Sequence, residues 1–263
     1  MPEAQAKAEK KPNYSVPAVR TAFRILQLLS RKKYNVSTLT EIARVLELNP
    51  TSCFRILKEL TELSIVRYDD RKKTYSLGPY LVVLGERAKE SLDYISLCLP
   101  FMEKLAQEVG MTTVLVNRVG DDRLTFVSKV EKDDFGIRVS IGRHFYIADG
   151  AYGKCFLAQM DKEDREYYLS RSKEYASLSP DERKRVLAEL DRVRERGYAV
   201  SYEGLFKGII GVAAPIYMEA NKLEMCLTAI GLTVDYTEEE LETKVGPLVK
   251  RYADSITEKL TRI

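Results

Sequence analysis

The chain has 263 residues, 45% hydrophobic and 31% charged, which supports one or two packed domains and excludes a disordered polyelectrolyte. No apolar run approaches the roughly 18 residues needed to span a bilayer, and the opening segment lacks a signal-peptide pattern, so a cytoplasmic chain with no membrane partner is expected. The formal charge of +3 is unevenly spread: residues 1–78 carry fifteen Lys/Arg against eight Asp/Glu, and the remainder carries 27 against 31, so only the first third is suited to a polyanion.

Residues 1–15 are polar and read as a flexible tail. From Val16 to Ser30 the apolar residues Val19, Ala22, Phe23, Leu26 and Leu29 recur at helical spacing and predict one buried face. Ser37 or Thr38 is placed to cap a second helix, with Glu41 three or four residues on and Leu39, Ile42, Ala43 and Leu46 inward. Asn49 is a good N-cap and Pro50 a good first helical residue, since its missing N–H costs nothing there. The third helix then runs to about Leu63, with Cys53, Ile56, Leu57 and Leu60 inward. Two short helices around a tight turn predict a helix-turn-helix. The alternating stretches Ile65–Tyr68 and Thr74–Leu77, around a charged turn, add the hairpin of a winged helix. Gly78-Pro79 breaks the chain before a linker helix, Tyr80 to about Leu92, with Leu81, Leu84 and Ala88 on one side. The winged helix-turn-helix is therefore expected over 16–78 and the linker over 79–94.

Residues 95–263 mix strands and helices and predict one α+β or α/β domain of the sensing type. A helix is expected near Cys98–Gly110. A hairpin of Thr112–Arg118 and Leu124–Glu131 turns at Gly120-Asp121-Asp122. Further strands are expected at Gly136–Gly142, Ile209–Met218 and Leu223–Val234. Helices are expected over Ala148–Met160, from the Ser179/Glu182 capping box to Gly197, and after Thr237.

If Cys53, Ile56, Leu57 and Leu60 face inward, the outward face near the start of the third helix carries Thr51, Ser52, Phe54, Arg55 and Lys58. Compact hydroxyls near a helix tip fit the major groove of B-DNA, and an arginine can fork onto guanine or hold a phosphate. Arg71, Lys72 and Lys73 at the wing tip suit phosphate or minor-groove contact. A solvated polar face is the alternative for both sets. Cys53 lies on the apolar stripe and reads as a small core residue.

In the second domain, Arg138, Arg143, His144, Tyr152, Ser201 and Thr228 are the polar groups available to a ligand cavity. The four cysteines (Cys53, Cys98, Cys155, Cys226) have no CxxC spacing and His144 is the only histidine, so neither a metal nor another cofactor is expected. No Ser/His/Asp set or phosphate-binding glycine loop is present, and GAYGK lacks the Walker spacing. No catalytic residue is assigned and the chain is not expected to be an enzyme. The one enzymatic alternative is a thiol at Cys155, beside Lys154 at a helix start.

Taken together, LTEIARVLELNPTSCFRILKEL, YSLGPYLVVLG, GKCFLAQM, RERGYAVSYEG and IIGVAAPIY resemble, in order, the IclR family of bacterial transcription regulators over about residues 16–260. The resemblance implies an N-terminal winged helix-turn-helix joined by a linker helix to a GAF-like effector-binding domain, in a homodimer or dimer of dimers. It implies palindromic promoter DNA and a small-molecule effector, often an organic or aromatic acid, as partners. Carried over by position, it places Ala151, Tyr152 and Gly153, Ser201 and Tyr202, Gly211, Thr228 and Ile230 around the effector. This chain departs from the pattern at Tyr152, where the family often has a small residue, and near Ser201–Gly208, where only Glu203 is acidic. A regulator-like protein without an effector is therefore the second reading.

Overall fold

The computed structural model describes residues 16–91, 93–131, 137–218 and 222–261; the tail expected over residues 1–15 lies outside them. The chain divides into two compact units, Met1–Ser91 and Leu92–Ile263.

The first unit contains α1 (Pro17–Leu29), β1 (Ser37–Thr38), α2 (Leu39–Leu46), α3 (Pro50–Glu62), β2 (Val66–Asp69), β3 (Thr74–Leu77) and α4 (Tyr80–Ser91). Thr38 caps α2 by accepting the Glu41 backbone N–H, and Asn49 caps α3 by accepting those of Thr51 and Ser52. The α2–α3 turn passes through Glu47 in the left-handed region, φ 54°. The hairpin pairs antiparallel, and the two residues of β1 add a third strand beside β3. Ile25, Leu28 and Leu29 of α1 pack with Ile42, Cys53, Leu57 and Tyr75 in the core.

Two expectations about helix faces are corrected. Val19 and Phe23 of α1 are 54% and 62% exposed. The helix is apolar over so much of its circumference that spacing alone does not select the stripe meeting α3. Of the three residues expected to share one side of α4, Leu81 is half-buried, while Leu84 and Ala88 are exposed.

The second unit opens with α5 (Asp93–Val109), then β4 (Thr112–Val119), β5 (Arg123–Val130) and β6 (His144–Tyr146). Next come α6 (Gly150–Gln159), α7 (Lys162–Ser170), α8 (Lys173–Ser177) and α9 (Pro180–Arg196). After β7 (Ala199–Tyr202), β8 (Ile209–Met218) and β9 (Lys222–Leu232), a short α10 (Glu238–Glu240) and a π-helical turn (Leu241–Val245) lead into α11 (Gly246–Leu260). The strands form one antiparallel sheet in the order β6-β5-β4-β9-β8-β7. Alternation along them divides the core: Val114, Val116 and Phe126 face α6 and α9, and Leu115, Val212 and Leu227 face α5 and α11. Ser179/Glu182 and Thr237/Glu240 are complete capping boxes, and Gly197 ends α9 with φ 80°.

The strand expected at Gly136–Gly142 is not formed: Gly136 is outside the described residues, and Ile137–Gly142 is irregular. Side chains hold this segment instead of a strand ladder. Thr112 Oγ1 donates to the Ile137 carbonyl at 3.0 Å, and Glu131 accepts the Val139 N–H at 3.1 Å.

Candidate functional site

The first candidate surface is the start of α3. Burial of Cys53, Leu57 and Leu60 turns Thr51, Ser52, Phe54, Arg55 and Lys58 outward, all five exposed. Asn49 Oδ1 lies 2.9 Å from the Thr51 nitrogen and 3.4 Å from that of Ser52, so the cap satisfies these amides and leaves both hydroxyls at the surface. Lys58 lies 3.8 Å from Glu62 one helical turn on.

At the wing tip, Asp69 Oδ1 accepts the backbone N–H groups of Lys72 and Arg71, each at 3.0 Å. Those bonds, Lys72 first, hold the Asp69 carboxyl below the usual carboxylate range and fold the turn so that Arg71 and Lys72 project. Lys73 differs: it sits at φ 53° and its ammonium lies 2.7 Å from Asp70 Oδ1, so its charge is already paired.

The second candidate is a cavity of about 390 Å³ inside the second unit. Ala151 and Tyr152 bring the start of α6 to it, and Ser201, Gly211, Thr228 and Ile230 come from adjacent strands β7, β8 and β9. Ser201, Gly211 and Ile230 stand in register across those strands, which is why residues distant in sequence share one wall. Tyr202 does not line it: one residue beyond Ser201, it points to the opposite sheet face and packs with Val200 and Ile210. At Gly211 a Cβ would stand in ordinary contact with that of Ala151, at 3.9 Å, so strand β8 and the start of α6 lie close together here.

Tyr152 forms part of the wall and leaves the cavity open. It is 5% exposed, and its ring lies edge-on to Phe126, with centroids 5.8 Å apart, and 5.1 Å from Phe145. Burial pushes its hydroxyl pKa up, so the group stays a neutral hydrogen-bonding phenol. Of the other polar candidates, Arg138 and Arg143 line the cavity, whereas exposed His144, at the start of β6, does not. The lining that sequence reasoning missed comes largely from loops: Leu205, Phe206 and Ile209 around the β7–β8 turn, and Ile137 and Val139 before β6. No periodicity marks such residues.

Cys155 is fully buried, its thiol donates to the Ala213 carbonyl at 3.2 Å, and burial raises its pKa well above the usual value. Neighbouring Lys154 donates to the Val200 carbonyl at 2.7 Å rather than to the sulfur. The thiol alternative thus lacks both exposure and an activating partner. Among the described residues no group of three or more His, Cys, Asp or Glu is arranged to hold a metal ion, and no helix is long and apolar enough to cross a membrane.

Two family models match the chain: the IclR helix-turn-helix domain over residues 18–70 and the bacterial transcriptional regulator IclR C-terminal domain over 87–258. The regulator KdgR of Escherichia coli is 27% identical over 252 residues, 93% of each chain. An IclR transcriptional regulator from Alicyclobacillus acidocaldarius is 38% identical, with a TM-score of 0.82 over 93% of this chain and 99% of that one. An IclR homologue from Microbacterium hydrocarbonoxydans, complexed with 4-hydroxybenzoate, shares the fold with a TM-score of 0.73 at 19% identity, over 92% and 98% of the chains. With a helix-turn-helix DNA-binding domain followed by a ligand-binding α/β domain, the chain belongs to the IclR family of bacterial transcriptional regulators.

Proposed function

We propose that this regulator binds palindromic promoter DNA through α3 and the wing, and that a small organic or aromatic acid in the 390 Å³ cavity modulates that binding. The observation that carries the ligand half is the cavity itself: mainly apolar walls with a few convergent polar groups are the usual form of a small-molecule site. The 4-hydroxybenzoate held by the Microbacterium hydrocarbonoxydans homologue supports the acid class. The space left beside Tyr152 favours a ligand-binding regulator over one without an effector. Thr51, Ser52, Phe54 and Arg55 would read base edges, and Lys58, Arg71 and Lys72 would meet phosphates, while Lys73 would have to give up Asp70 to do so.

A homodimer, or a dimer of dimers, follows from the need to read two half-sites. The exposed apolar residues Val16, just before α1, Val19 and Phe23 of α1, and Val82, Val83 and Leu84 of α4 support association of the reading heads. Ligand binding would shift the balance between two arrangements of the assembly.

The test is DNase footprinting on the DNA upstream of the gene, with and without organic and aromatic acids, alongside thermal-shift measurement with the same acids. A ligand that binds the native state must raise its apparent stability. A protected palindrome whose occupancy changes with an acid that also raises the melting temperature is the expected result. Binding indifferent to sequence would defeat the DNA half, and no response to any acid would defeat the ligand half.

A further inference from the structure

We infer that Arg143 is the anion anchor of the cavity and that the ligand is a monocarboxylate carried on a flat, largely apolar body. This rests on the reading of the cavity as the effector site and adds which residue holds the charge and what shape of molecule it selects.

The backbone at Arg143 is fixed. Its carbonyl accepts Thr125 Oγ1 at 3.1 Å and the Phe126 N–H at 3.4 Å, and the Gly142 N–H donates to the Phe126 carbonyl at 2.9 Å. The guanidinium carbon lies 5.0 Å from the ring centroid of Phe145 and 5.0 Å from that of Phe206. Phe145 belongs to β6 and Phe206 to the loop between β7 and β8, so elements at the two ends of the strand order meet at this one cation.

Aromatic faces attract and orient a guanidinium but take none of its strong hydrogen bonds. Other arginines of the unit spend theirs: Arg165 on Asp191, Arg196 on Glu189 and Glu242, Arg194 on the carbonyls of Ala158 and Met160. Among the described residues no carboxylate or carbonyl oxygen accepts from the Arg143 guanidinium. Arg138, the other cation of the wall, lacks among the described residues the aromatic clamp that positions Arg143, and the nearby Glu131 carboxylate is taken by Lys129 at 2.7 Å and the Val139 N–H at 3.1 Å. An exposed planar fork held between two rings, with no protein acceptor among the described residues, is suited to a carboxylate, which it binds through two parallel bonds.

The surroundings define the rest of the ligand. Phe126, Phe145 and Tyr152 form an edge-to-face and tilted cluster beside the cation, a surface on which a flat body packs. A second carboxylate placed against this aromatic face would have to be desolvated there without a partner, which is costly. Ser201, 8% exposed and without a hydrogen-bond partner for its hydroxyl among the described residues, is placed to bond a hydroxyl or carbonyl on the ligand.

The experiment is titration calorimetry on the full chain with benzoate, 4-hydroxybenzoate, phthalate and benzamide, repeated on Arg143→Lys and Arg143→Ala. The unliganded melting temperature of each variant controls for folding. The wild type is expected to bind one of the two monocarboxylates at least about tenfold more tightly than the amide or the dicarboxylate. Both variants should lose about tenfold or more for the acid, with the amide little changed, because Lys keeps the charge but not the fork. Acid binding unaltered by Arg143→Ala, or acid and amide weakened equally, would overturn the anchor. Preference for benzamide or phthalate over the monocarboxylates would also overturn it while leaving the cavity reading intact. A wild type that retains sequence-specific DNA binding but takes up none of the four probes would overturn the flat monocarboxylate, and only silence toward the wider set of acids would overturn the cavity reading as well.

Discussion

Arg55 stands exposed one turn into α3, beside the free hydroxyls of Thr51 and Ser52. Arg55→Ala is expected to weaken binding to the specific site by about 1–3 kcal/mol and to relax base preference locally. Fluorescence anisotropy on operator and random duplexes checks this; equal affinities before and after would remove Arg55 from the reading surface. The cysteines behave oppositely. All four are buried, and burial raises the pKa values of Cys98 and Cys226 to about 12 and pushes Cys53 and Cys155 upward. At neutral pH they should react with a thiol reagent far more slowly in the native protein than after denaturation. One rapidly labelled native thiol would contradict this and return attention to Cys155. Cys53 was legible from its place on an apolar stripe. The openness of the cavity beside Tyr152 was not, because the ring's direction depends on Phe126 and Phe145.

The entry of the chain into α6 rests on a close approach at Gly153. A Cβ there would lie 2.8 Å from the Ile147 carbonyl oxygen and 2.8 Å from the carbonyl carbon of Ala148, backbone atoms that cannot rotate away. Gly153→Ala should therefore cost about 1–3 kcal/mol of stability and displace the helix start that carries Ala151 and Tyr152. Urea unfolding tests the first effect, and an unchanged midpoint would show that the backbone yields freely. Other elements failed to follow their sequence pattern for identifiable reasons. In α1 the apolar residues cover several faces, and contact with α3 and β3 selects Ile25 and Leu28 rather than Val19 and Phe23. In the segment before β6, a hydrogen bond donated by Thr112 and one accepted by Glu131 replace the strand pairing that alternation predicts.

For the molecule as a whole, the excess of basic residues in the first 78 positions implies DNA affinity that falls steeply with salt. Removing Arg71 and Lys72 together should weaken specific and random duplexes alike and lower the salt slope by about one per lost phosphate contact. Binding measured from low to moderate salt decides this, and an unchanged slope would place the wing away from the backbone. If the target is the proposed palindrome, its half-sites are expected about one helical turn apart, or a multiple of it.

The boundary between what was legible and what was hidden follows the range of the interactions. The capping of α2, α3, α9 and α10, the Gly197 stop and the β4–β5 hairpin depend on bonds within a few residues or on simple alternation, and the amino-acid order was enough to place them. The family resemblance rests on the same short segments, and with them the expected lining from Ala151, Ser201, Gly211, Thr228 and Ile230. The exposed stripe of α1, the turning of Tyr202 to the far sheet face and the meeting of Arg143 with Phe206 came from folding. Each depends on strand register or on helix packing between segments distant in the chain, where many partners have suitable chemistry and only the closed core selects among them.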